Sequence, residues 1–138
     1  MALVIDASMT LSWCFVDEIT PYTQSVLGAL RRSYAEVPAL WLIEVRNVLL
    51  MNERRGRITA QGSKEFLQTL SALDIRIDFG EPALDGHEVL ALARRHRLTA
   101  YDAAYLELAK RKGLELATFD RELLQAAPLE GVGLVRQP

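Results

Sequence analysis

The sequence predicts an α/β domain in which a mainly parallel central sheet is flanked by helices in three layers. Short apolar or alternating runs recur between longer amphipathic stretches along all 138 residues, and strands that alternate with helices favour parallel pairing through crossovers. The first of these runs, Ala2 to Ile5, has no polar residue until Asp6, as a strand buried on both faces requires.

Element by element, the first strand gives way to a short helix through about Phe15, with Ser8 as its expected cap. Thr20 and Pro21 supply a cap and a first-turn proline for a second helix ending near Arg31 and Arg32. A brief strand at Glu36 to Pro38 precedes a long apolar helix over residues 40–55 that Gly56 stops. Thr59 then opens a helix running to about Leu73. The period-two segment Asp74 to Asp78 reads as a strand. Pro82 starts a helix to about His96, and Thr99 caps another that ends at Gly113. A strand at Leu114 to Thr118, a short helix after Asp120 and a last strand near Val132 to Val135 complete the pattern.

The length and the 50% apolar content suit a single domain over 1–138, large enough to bury one core without staples. Cys14 is the sole cysteine, so an internal disulfide is excluded. No apolar stretch is long enough to span a membrane and no basic-then-apolar leader is visible, so a cytoplasmic location is expected. The net charge of −2 conceals thirteen arginines against three lysines, clustered at Arg31 and Arg32, at Arg54, Arg55 and Arg57, and at Arg94, Arg95 and Arg97. Such clusters complement helix C-termini and stay solvated, but guanidinium forks also match phosphate oxygens.

The chemistry rests on four acids. Asp6 ends the first strand, at the carboxyl end of a parallel sheet, where ligands bind. Glu44 lies within LWLIEVRNVLL, its helix face shared with Leu40, Trp41, Asn47, Val48 and Met51, so its carboxylate needs a partner or a cation. Asn47 is the polar companion one turn along. Asp102, in TAYDAAYLELAK, has a capping relation to Thr99 and shares a face with Tyr105, whereas Glu107 faces Lys110 and Arg111 as the solvated acid. Asp120 follows LATF and could simply cap the next helix. Ser8 and Thr118 place hydroxyls near two of the aspartates. Converging carboxylates make an oxygen-only site suited to Mg²⁺ or Mn²⁺. His87 and His96 stand nine apart on one helix and read as solvated residues without metal roles.

VIDAS (4–8), the helix bearing Glu44, TAYDAAYLELAK (99–110) and LATFDREL (116–123) occur in an order and spacing that resemble the PIN-domain ribonucleases, above all the VapC-type toxins of toxin–antitoxin pairs. The resemblance implies a PIN-like fold in which Asp6, Glu44, Asp102 and Asp120 form an acidic catalytic and metal-binding quartet supported by Ser8 and Thr118. It also implies Mg²⁺ or Mn²⁺ dependence, RNA cleavage, a homodimer and an antitoxin protein as partner. RNA would then meet Arg54, Arg55, Arg57, Arg94, Arg95 or Arg97. Two other readings stay open. An aspartate after the first strand is also where phosphoaspartate enzymes place their acceptor, although Ser8 stands where the phosphatase pattern wants a second aspartate. A binding module of the same fold could instead offer Trp13, Phe15 and Tyr22 to a partner.

Overall fold

The computed structural model describes residues 1–80 and 86–137. Four parallel strands, β1 (Leu3–Ile5), β2 (Ala35–Pro38), β3 (Ile75–Asp78) and β4 (Glu115–Ala117), lie in the order β3-β2-β1-β4. β1 is central, and Leu3, Val4 and Ile5 are all buried; withdrawing each such side chain from water contributes ~1.5–3 kcal/mol. In register, Ile5 pairs with Ala117 and Leu3 with Ala35. The residues after Ile5 and Ala117 therefore emerge side by side at the carboxyl ends of adjacent strands.

The helices among the described residues are α1 (Ala7–Ser12), α2 (Pro21–Leu30), α3 (Leu40–Arg54), α4 (Ala60–Ser71), α5 (His87–His96), α6 (Ala100–Lys112) and α7 (Arg121–Leu129). α6 packs on β1, β2 and β4 and also touches α5 and α7, while α3 contacts α1 and α4. Thr20 and Thr23 form a reciprocal capping box at α2, and Thr59 and Thr99 cap α4 and α6. Gly113, in the left-handed conformation at φ 66°, ends α6. The start of a helix at Pro82 lies outside the described residues. None of the described helices is long and apolar enough to cross a membrane.

Four expectations need correction. The cap of α1 is Asp6, whose Oδ1 accepts the Met9 N–H at 2.9 Å, and not Ser8; the helix stops at Ser12, short of Phe15. The longer reach of a carboxylate one position before the helix wins the cap, and Ser8 turns its hydroxyl back onto it. The last strand reduces to one parallel bridge, Leu116 to Leu134, although backbone bonds from Leu116 to Gly133 and from Val135 to Leu116 still cover the outer edge of β4. Glu107 is not solvated: its side chain is 14% exposed and paired with Arg111 at 2.7 Å. His96 is not solvated either. With its side chain 10% exposed, it joins Arg95 and Lys110 around Glu130, itself 7% exposed, at 2.5, 2.6 and 3.0 Å, tying α5 and α6 to the end of α7.

Candidate active site

Asp6 sits where β1 ends, 4% exposed. Its Oδ1 accepts from Ser8 Oγ at 2.7 Å and from the Met9 N–H at 2.9 Å, and its Oδ2 accepts from the Thr118 hydroxyl. Thr118 is the first residue beyond β4, so parallel pairing of β1 with β4 is what delivers it. Burial drives the Asp6 carboxyl above its ordinary range, these three hydrogen bonds pull it back, and the charge of Asp120 adds to the rise. Desolvation is the larger influence because the partners of Asp6 among the described residues are neutral donors.

Glu44 enters from α3, half-buried, with Oε1 accepting the Tyr105 hydroxyl at 2.7 Å. Its carboxyl is also raised, first by burial and then by Asp6, with the Tyr105 bond opposing. Asp102 stands in the first turn of α6, one turn before Tyr105 on the same face. Its carboxyl is pushed up to about 6 by burial and then by the charges of Asp120, Glu44 and Asp6. Asp120 has a structural role as well, since its Oδ1 caps α7 through the Leu123 N–H at 2.9 Å and its own N–H reaches Thr118 Oγ1. All four predicted acids thus share one electrostatic environment.

No lysine or arginine among the described residues forms an ion pair with Asp6, Glu44, Asp102 or Asp120. Nor does any group of three His, Cys, Asp or Glu side chains among the described residues stand ready-made as a metal cluster. Asp6 has both oxygens engaged by neighbouring donors, and Glu44 leans on Tyr105, an arrangement that lowers mutual repulsion when the charges have no counterion. An all-oxygen donor set of uncompensated carboxylates fits a hard divalent cation. Glu44 Oε2 and the carboxylate of Asp102 would complete such a set with Asp6.

The expected polar supports divide. Ser8 and Thr118 contact Asp6 as anticipated, and Ser8 Oγ also accepts the Phe119 N–H at 3.2 Å. Asn47 does not serve Glu44: it is exposed, with its amide turned toward Met51 Sδ at 3.7 Å. Among the arginines, Arg57 is engaged by Asp17, Glu18 and the Phe15 ring, and Arg95 by Glu130. Phe15 and Tyr22 are buried, not offered to a partner. Sequence reading gave no role to Tyr105, Thr10 or Trp41. Each is an ordinary core residue by pattern, and their polar atoms become conspicuous only once partners 61 and 31 residues away are in place. A broad cleft beside β2 and β3, lined by Leu40, Phe79, Val89 and Leu108, contains none of the four acids.

The PIN domain family model matches residues 3–128. Ribonuclease VapC3 of Pyrobaculum aerophilum is 29% identical over 93% of this chain and 96% of its own length, and Exonuclease VapC9 of the same organism is 41% identical over 62% of this chain and 61% of its own. Among solved structures, PAE2754 from Pyrobaculum aerophilum is similar with a TM-score of 0.72 at 26% identity, covering 98% of this chain and 91% of that one. FitAcB from Neisseria gonorrhoeae shares the fold with a TM-score of 0.63 at 16% identity, covering 99% and 98%. With the family match running from β1 through most of α7, the chain belongs to the PIN domain family.

Proposed function

We propose that the protein is a divalent-metal-dependent endoribonuclease, the toxin of a VapBC-type pair, acting in the cytoplasm through Asp6, Glu44, Asp102 and Asp120. The observation that carries the reading is the mutual electrostatic influence of these carboxylates around a buried Asp6, with no ion pair to offset them among the described residues. Relatives named as a ribonuclease and an exonuclease favour catalysis over a binding module. The phosphoaspartate alternative has less support, since both oxygens of Asp6 already accept hydrogen bonds and the carboxylate is too buried for easy attack on a phosphoryl donor.

When bound, Mg²⁺ or Mn²⁺ would supply Lewis acidity and offset the negative charge that builds on a phosphodiester as water attacks it. The chain's own contribution is positioning. Asp6 is fixed by Ser8, Met9 and Thr118, and Tyr105 holds Glu44 by its Oε1. Asp120, anchored as the cap of α7, adds negative charge behind Asp102. Arg54, Arg55, Arg94 and Arg97 make no ion pair among the described residues and would meet RNA phosphates. A homodimer and an antitoxin that covers the acidic mouth belong to the same proposal.

The test is cleavage of total RNA and of a circular RNA by purified protein with Mg²⁺ or Mn²⁺, compared with EDTA and with Asp6→Asn and Asp102→Asn. Metal-dependent linearisation of the circle, lost in both variants, is expected. Cleavage that survives EDTA or both substitutions would refute the metal assignment, and degradation confined to linear RNA would refute internal cutting.

A further inference from the structure

Between the turn of α3 that carries Glu44 and the aspartate at the end of β1 runs a buried chain of hydrogen bonds. Trp41, 5% exposed, donates its indole N–H to Thr10 Oγ1 at 2.9 Å. Thr10, fully buried, donates its own hydroxyl proton to the Asp6 carbonyl at 2.8 Å, and the same carbonyl accepts the Thr10 N–H at 3.1 Å. The hydroxyl has one proton and spends it on Asp6, so the indole must approach a lone pair; the direction of the chain is fixed. Trp41 precedes Glu44 by three residues and lies on the same side of α3. At the other end, Asp6 is the residue whose side chain meets Ser8, Met9 and Thr118.

A buried tryptophan needs a partner for its N–H in any case. Trp13 shows the ordinary solution, donating to the Thr23 carbonyl at 2.9 Å on α2. Trp41 differs in that its acceptor is bonded in turn to the backbone of a site carboxylate.

We propose that Trp41 and Thr10 are positioning residues that set the spacing between the Asp6 and Glu44 carboxylates and thereby control how tightly the site takes a divalent cation. The inference rests on the cation reading of that site. Partners that hold metal ligands in place typically change affinity by about 10- to 100-fold when removed. Valine at position 10 fills the space of threonine but leaves the indole N–H without an acceptor, whereas serine keeps the hydroxyl.

Mn²⁺ binding, followed by the paramagnetic resonance of free Mn²⁺, is compared for the unmodified protein, Thr10→Ser, Thr10→Val, Trp41→Phe and the Val/Phe double variant, alongside thermal unfolding. Thr10→Ser should bind as the unmodified protein does. Thr10→Val and Trp41→Phe should each bind Mn²⁺ about 10-fold more weakly, with the double variant little worse than either, since the two act through one chain. Variants that lose thermal stability while keeping full Mn²⁺ affinity would overturn the proposal. If the unmodified protein binds no Mn²⁺, the cation reading itself fails, and this inference with it.

Hydrogen exchange in the unmodified protein provides a measurement independent of whether the variants fold. With ¹⁵N-labelled tryptophan, Mg²⁺ should slow exchange of the Trp41 indole N–H and leave that of Trp13 unchanged. Equal responses from the two indoles, or none, would overturn the positioning role.

Discussion

Replacing Asp102 by Asn should stabilise the metal-free protein at neutral pH. The folded state holds this carboxyl near 6 against an ordinary value of 3.8, through burial and then the charges of Asp120, Glu44 and Asp6. Below pH 3.8 both folded and unfolded chains carry the proton and nothing is lost. Between 3.8 and 6 the unfolded chain releases it first, so stability falls as pH rises, and above 6 the penalty is complete. A shift of this size corresponds to ~3 kcal/mol if unscreened. Because Asp102 is only half-buried, solvent screening reduces this to roughly 1–2 kcal/mol. Asparagine also forfeits the favourable anion in the first turn of α6, worth about 0.3–1 kcal/mol. The net gain is then about 1 kcal/mol, or roughly 3–5 °C in Tm for a domain of this size. Circular dichroism melts in EDTA at pH 4, 5, 6 and 7.5 should show the advantage of Asp102→Asn emerging across that range. A variant less stable than the parent at pH 7.5, or an advantage equally large at pH 4, would refute the account of repulsion and desolvation.

Tyr105→Phe removes the donor that holds the Glu44 carboxyl down against burial. We expect ~1 kcal/mol of lost stability and an upward move of the Glu44 titration, read by carboxyl ¹³C NMR; an unmoved titration would count against the contact. Glu130→Gln should lower Tm at pH 7 and match the parent near pH 2. His96 and Arg95, and then Lys110, depress the Glu130 carboxyl from 4.5 to about 2, so its contribution is present above 4.5 and fades as pH falls toward 2. Gly113→Ala should cost ~1 kcal/mol through backbone strain alone, because φ is 66° and the space around the missing Cβ is open. Urea unfolding should show a lower midpoint with an unchanged slope.

Much of the architecture was legible because each strand is a short apolar or alternating run and most helices carry their own punctuation, as Thr20, Thr59, Thr99 and Gly113 do. The last strand misled because Val132 to Val135 alternates like a strand, yet Gly133 interrupts it and pairing narrows to one bridge. At the site, Glu44 stands out in the sequence as an acid on an apolar helix face, whereas Asp6, Asp102 and Asp120 have strand-end or capping explanations of their own; the influence of Asp120, Glu44 and Asp6 on Asp102 follows from the parallel pairing of β1 with β4 and the packing of α6 on β1. Most of what stayed hidden depends on a distant partner. A tyrosine on an apolar face reads as core until Glu44 is seen 61 residues away, and His96 reads as surface until Glu130 closes over it 34 residues later. Asn47 erred in the opposite direction: helix spacing put it one turn from Glu44, but rotamer and solvent took it elsewhere.

The pairing of β1 with β4 has a temporal consequence. Asp6 is synthesised well before its Thr118 partner and the neighbouring Asp120, which arrive 112 and 114 residues later, just beyond β4. A nascent chain on the ribosome therefore holds an unfinished site from the synthesis of Asp6 until that later segment is made. For a ribonuclease of the proposed kind, that order of assembly would be a safeguard: the site could not act on the messenger being read until Thr118 and Asp120 had joined Asp6.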